Sequence, residues 1–272
     1  MTPRVSYFIF CSLLIFSSLP GTLEAAEIRV AVASNFVVTM KLLARSFETQ
    51  NNHRIVIASG STGKHFAQIS HGAPFDLFFA ADAKRPQLLE QQGLAIDGTR
   101  FTYALGTLTL WQPEQTTNRS DNSTGMRETT SIESNSILKT LKQANFNYLA
   151  IANPKLAPYG MAAKESLQAL GLWEKLQTQI VRGENISQAF HFVYSGNAQL
   201  GFVAHAQLIH LDPDARGGFW QIPPHYYQPI EQQAVQLNDK AATRAFVEYI
   251  RSPAAKLIIQ QQGYLTSDTL GR

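Results

Sequence analysis

The chain has 272 residues, with 23 Lys and Arg against 20 Asp and Glu, and a single cysteine. A net charge of +3 is too mild to argue for nucleic acid, and a hydrophobic share of 44% is enough for one large or two moderate cores. Cys11 lies in an N-terminal apolar run, so the rest of the chain can form no disulfide and do no thiol chemistry.

That run, Val5 to Leu19, follows one basic residue, Arg4, and is broken by Pro20 and Gly21. Small residues follow in TLEAAE. Residues 1–25 are predicted to be a secretory signal peptide cut after Ala25, with Ala26 as the alternative, because the run is too short to span a bilayer. No later stretch has the roughly 18 unbroken apolar residues of a spanning helix.

EIRVAVASNF begins as a strand, with Ile28, Val30 and Val32 alternating with Arg29 and Ala31. Phe36, Met40, Leu43 and Phe47 then recur at helical spacing, which places Ser34 and Asn35 at a strand-to-helix turn where one of them caps the helix. RIVIAS is a second strand, followed by a glycine-rich turn and a helix carrying Phe66 and Ile69. Leu77–Phe79 reads as a buried strand, and Pro86 opens a helix with Leu88 and Leu89. FTYALGTLTLW is a long extended segment. Residues 112–133 are polar and almost free of large apolar side chains, so they read as a surface loop without chemistry.

Order resumes with a short helix near Ile137–Leu141 and the strand NYLAIAN. Pro158-Tyr159-Gly160 is predicted as a turn, with Ala163, Leu167 and Leu170 on the helix behind it. The strand QIVRGEN leads through Asn185 and Ile186 into the helix SQAFHFVYSG. Leu200–Ala204 is a strand, YYQPIEQQAVQL a second long extended segment, and the last stretch two helices split at Pro253. Two α/β units result, each with two polar strand-to-helix turns. The extended segments near 101–111 and 226–237 are the natural crossings between them.

The turn ASGSTGKHF, Ala58–Phe66, nearly spells a phosphate-binding P-loop. It fails at two working positions, because Ala58 stands where the first glycine belongs and His65 where the magnesium-holding hydroxyl belongs. What remains is a helix start rich in hydroxyls, which suits an anion through its free N–H groups and dipole, or is an ordinary cap. Lys64 lies past the turn and reads as a solvated side chain. A hydrolase with Ser61 as nucleophile lacks the GxSxG elbow, since Ser59 precedes it where glycine is required. The histidines show no HxxH or HExxH spacing and read as structural or surface residues. Asp76 and Asp82 read as a strand-end cap and a loop anchor.

The stretches VAVASNF, IASGSTGKHFAQISHGAPFDLFFAADAKRPQLL, FTYALGTLTLW, IANPKLAPYG, LGFVAHAQ and YYQPIEQQAV, in this order, resemble the periplasmic molybdate-binding proteins that serve ATP-driven importers. The resemblance implies a two-lobed type II periplasmic-binding-protein fold of the α/β class, each lobe a mostly parallel sheet flanked by helices. Lobe 1 is expected over 26–105 and 233–272, and lobe 2 over 106–232. It implies an interlobe site for molybdate, and for tungstate, made by Ser34, Asn35, Ser61, Thr62, Tyr159 and Ile186, the last through its backbone N–H. Thr62 is the better match at the second turn, with Ser61 its alternate. At the position where some members carry a further tyrosine ligand, this chain has Ala204. Sulfate or another tetrahedral oxyanion is the alternative ligand. No enzyme activity, cofactor or directly bound metal is implied, since molybdenum is held as its oxyanion. The implied partner is the membrane permease of an ABC importer. The chain is expected to be a periplasmic monomer.

Overall fold

A computed structural model describes residues 25–113, 130–212 and 216–266. The expected signal peptide, but for its last residue, and most of the expected polar loop lie outside them. Two five-stranded sheets organise the chain, with strand orders β2-β1-β3-β10-β4 and β7-β6-β8-β5-β9.

In the first sheet β1 (Glu27–Ala33) pairs in parallel with β2 (Arg54–Gly60) on one side and β3 (Leu77–Phe79) on the other. β10 (Ile230–Gln236) then runs antiparallel between β3 and β4 (Phe101–Gly106). The second sheet repeats the plan. β6 (Leu149–Ala152) is flanked in parallel by β7 (Ile180–Gly183) and β8 (Leu200–Ala204). β5 (Leu108–Gln112) lies antiparallel between β8 and β9 (Gly218–Gln221).

Both faces of the first sheet are covered, which is why its strands read as nearly continuous apolar runs. Val30 and Val32 point to one face, where Phe36, just before α1 (Val37–Glu48), and Met40, Leu43 and Phe47 along it meet them. Phe246 and Ile250 of α8 (Ala241–Arg251) and Ile259 of α9 (Pro253–Gln261) complete that layer. Ala31 and Phe78 point to the other face, against Ile69 of α2 (Thr62–Ser70) and Leu89 of α3 (Lys84–Gln91). The second core gathers Leu110, Trp111, Ile151 and Phe202 with α4 (Thr130–Gln143), α5 (Pro158–Ala169), α6 (Trp173–Leu176) and α7 (Ile186–Tyr194). It also takes in Ala33 and Ile230 from the first sheet and Ala81 just past β3, so the two cores touch.

Several local expectations change. The segment 101–111 is two strands, one in each sheet, parted at Thr107. Gly106 pairs with Ile230, so the first sheet extends one residue past the expected first boundary and takes up its last strand three residues before the second. Pro158-Tyr159-Gly160 is the first turn of α5 rather than a loop, because proline at the helix start loses no hydrogen bond there. Neither Ser34 nor Asn35 caps α1: Ser34–Phe36 is a 3-10 turn, and both side chains bond elsewhere. α3 begins at Lys84 rather than Pro86, and the 3-10 turn His205–Gln207 follows Ala204. α4 starts at Thr130, inside the expected loop, because Ile137 and Leu141 anchor a helix in the core and adding residues to an existing helix costs little.

Candidate functional site

The parallel part of each sheet sends its strand ends toward the other sheet. In open α/β sheets ligands gather at such carboxyl ends, where the chain switches sides. Four turns meet there around one cavity with about 180 Å³ of empty space. Ala33, Ser34 and Asn35 follow β1, and Gly60, Ser61 and Thr62 follow β2. Ala157, Pro158 and Tyr159 come after β6, and Asn185 and Ile186 after β7. All six residues expected at the site therefore line one cavity, and Ala204, though fully buried, does not. Only about 10 Å³ of that space admits a water-sized body, far below the range of about 300–1,000 Å³ that suits drug-sized molecules, so a small ion fits the space better than a nucleotide.

No charged side chain lines this cavity. Its polar equipment is neutral and oriented. Three hydroxyl oxygens each accept a backbone N–H: Ser34 from Ser187 at 3.3 Å, Ser61 from Lys64 at 3.4 Å and Thr62 from Ala81 at 3.0 Å. A hydroxyl that accepts one bond still has its own proton to give, and among the described residues none of these three protons has a taker. The N–H groups of Thr62, Tyr159 and Ile186 sit in the first turn of α2, α5 and α7, where no carbonyl lies four residues back. With the N–H of Asn35, they find no partner among the described residues. Asn185 caps α7 by accepting the Gln188 N–H at 3.1 Å, which fixes that helix start toward the cavity.

Tyr159 divides its roles. Its backbone lines the cavity, while its buried hydroxyl lies against Gly106, where a Cβ would meet it at 2.2 Å. Burial pushes the phenol well above its usual pKa, so it stays a neutral hydroxyl, and no partner accepts it among the described residues.

The lobes are joined across the cavity. Ser187 Oγ donates to the Ser34 carbonyl at 3.0 Å, and the Gly63 N–H donates to the Leu156 carbonyl at 2.8 Å. Lys64, expected to be solvated, pairs with Glu184 at 2.9 Å from opposite sides of the seam, with both side chains about half exposed. Asp82 anchors its loop by accepting the Arg85 N–H at 3.0 Å, and Arg85 reaches on to the Lys155 carbonyl at 3.2 Å. Asp76 bonds the Arg29 N–H at 2.6 Å and Lys240 at 2.8 Å at the entry of β3. His65 packs its ring against Gly60 behind the second turn, and burial holds its pKa below the usual value. No group of three or more His, Cys, Asp or Glu suited to a metal occurs among the described residues.

Ser187, Gln232 and Tyr264 were not foreseen. Gln232 Oε1 accepts the Asn35 side-chain amide at 2.7 Å, and Tyr264 exchanges two hydrogen bonds with Asn35. A glutamine at a fully buried position of a strand was the available signal for Gln232; Ser187 offered none.

A two-lobed frame with a cavity of neutral donors between the lobes defines a small-solute receptor. The bacterial extracellular solute-binding protein family matches residues 28–265, and the chain belongs to it. It is a binding protein, not an enzyme, and has the two-lobed type II periplasmic-binding-protein fold. The molybdate-binding protein ModA of Azotobacter vinelandii is 41% identical over 245 residues, which are 89% of this chain and 90% of that one. ModA of Rhodobacter capsulatus is 38% identical over 89% of each chain. Among solved structures, the Azotobacter vinelandii periplasmic molybdate-binding protein superposes with a TM-score of 0.76 at 38% identity, over 88% of this chain and 99% of that one.

Proposed function

We propose that this chain captures molybdate, and tungstate with it, and hands it to the membrane permease of an ABC importer. It is exported by residues 1–25 and works in the periplasm as a monomer without a cofactor. Lobe 1 comprises 26–105 and 233–272 and lobe 2 comprises 106–232, with the sheet extending a few residues past each boundary. The observation that carries the reading is the cavity: three hydroxyls and four N–H groups converge from both lobes with no charge among them. Ser34, Ser61 and Thr62 give hydroxyl protons, and Asn35, Thr62, Tyr159 and Ile186 give backbone N–H groups.

A dianion needs no salt bridge if enough donors meet it. Hydrogen bonds to a charged group are worth about 1.5–3 kcal/mol each, so this set supports nanomolar affinity after ordering costs. Phosphate carries a proton at neutral pH, and hydroxyl oxygens already engaged as acceptors receive it poorly. Calorimetry on the mature chain with molybdate, tungstate, sulfate and phosphate tests the proposal. Tight binding of the first two is expected, and sulfate within about tenfold of molybdate overturns the assignment, since about 1.4 kcal/mol would then be all the site discriminates.

A further inference from the structure

Asn35 lines the cavity, but its side chain is already committed. Its amide nitrogen donates to Gln232 Oε1 at 2.7 Å and to the Tyr264 hydroxyl at 3.1 Å. Tyr264 returns its own proton to the Asn35 carbonyl at 2.7 Å. The Tyr103 hydroxyl lies 3.0 Å from the Ala80 carbonyl and 3.3 Å from Gln232 Oε1. Every member of this cluster is buried.

The four residues come from four places. Asn35 follows β1, Tyr103 is in β4, Gln232 is in β10, and Tyr264 follows α9. β4 and β10 are the strands on which the chain leaves and re-enters the first sheet. The register of β10 slips between Gln232 and Gln233, and such bulges re-aim a side chain. Gln232 Nε2 is buried without a partner among the described residues. A glutamine kept only to fill this space gains nothing over methionine, so its role lies in what its oxygen holds.

We propose that Gln232 and Tyr264 are positioning residues of the oxyanion site. They take up both amide hydrogens of Asn35, so that this residue meets the anion with its backbone N–H. They also tie the first binding turn to the crossing strand β10. The inference rests on the oxyanion reading of the cavity.

Gln232→Met keeps the volume and removes the acceptor. Tyr264→Phe keeps the ring that packs 5.1 Å from Phe36 and removes both bonds to Asn35. Each is made alone and in an Asn35→Ala background, which keeps the N–H. Molybdate affinity is measured by calorimetry, release rate by stopped-flow tryptophan fluorescence, and melting in parallel without anion. Each single variant is expected to weaken molybdate binding about tenfold, through faster release. In the Asn35→Ala background Gln232→Met should cost under about twofold, because the side-chain bond it removes is already gone, while Tyr264→Phe should cost less than in the unaltered chain, since only its bond to the carbonyl of residue 35 is left to lose. A lowered melting temperature with unchanged affinity, or losses that simply add in the double variants, overturns the proposal. Should Gln232→Met fail to fold, the Tyr264→Phe pair decides by the same criteria. If the unaltered chain gives no heat with molybdate, the oxyanion reading itself fails and this inference falls with it.

Discussion

Around the cavity the chain presents hydroxyls and N–H groups without a charge among them, whereas the seam beside it carries Lys64 against Glu184 and Arg85 against Asp82. The two regions adjoin in sequence: Thr62 and Lys64 share one helix turn, and Glu184 directly precedes Asn185. Their physics differs. The inner donors are buried and pre-oriented by bonds to the protein, so each loses little freedom when an anion arrives. The Lys64 and Glu184 side chains are about half exposed, and exposed pairs are screened by salt and worth about 0–1 kcal/mol. Recognition is thus expected from uncharged groups, with the charges left to hold the lobes together.

The sharpest way to break that contrast is to remove inner donors. Ser34→Ala and Thr62→Ala should each weaken molybdate binding about tenfold to a hundredfold in calorimetry, from a loss of about 1.5–3 kcal/mol. Thr62→Ala should also lower the melting temperature, because it strands the buried Ala81 N–H. Full affinity in both would leave these hydroxyls as plain acceptors of the Ser187 and Ala81 N–H groups. Next comes the seam itself. A Cβ on Gly63 would stand 3.0 Å from the Leu156 carbonyl and 3.1 Å from its Cα, both backbone atoms of the opposite lobe. Gly63→Ala should therefore weaken binding about tenfold, by about 1–2 kcal/mol of crowding where the two lobes meet.

Charge removal should do less. Lys64→Ala and Glu184→Gln are each expected to change affinity by under about 1 kcal/mol, with the difference fading in high salt. If Lys64→Ala outweighs Thr62→Ala, the charged seam rather than the neutral cavity holds the anion. The smallest effect on binding belongs to Asp76. Burial raises its pKa, but bonds from the Arg29 N–H, Lys240 and Asn238 outweigh that and hold it below the usual 3.8. A carboxylate depressed in the fold adds stability above its unfolded pKa and loses it as pH falls through the folded value. Asp76→Asn should flatten the acid limb of the stability curve below about pH 4 and leave molybdate affinity alone. An acid limb identical to that of the unaltered chain would show that the carboxylate contributes nothing.

What could be read from sequence was local. Alternation in EIRVAV, the glycine-rich turn after RIVIAS and the polar residues before helical spacing mark strand ends and helix starts within a few residues. Those cues placed Ser34, Asn35, Ser61, Thr62, Tyr159 and Ile186 at turns. They could not reveal that Ser34 meets Ser187 across 153 residues, or that Asn35 meets Gln232 across 197 and Tyr264 across 229. The cap assigned to Ser34 or Asn35 failed for the same reason, since distant partners claimed the side chains. Lys64 looked solvated because Glu184, its partner, lies in the other lobe.

The strand order of the first sheet also sets a schedule. β10 sits between β3 and β4, yet it is made only after the whole second sheet. As the chain emerges N-terminus first, Leu77-Phe78-Phe79 stands as an unpaired apolar edge, and β4 has no neighbour to join. Pairing across so long an insertion is slow, and open edges invite other chains meanwhile. A chain released after β9 would hold a finished second sheet beside a split first one, with the facing edges of β3 and β4 open until β10 is made.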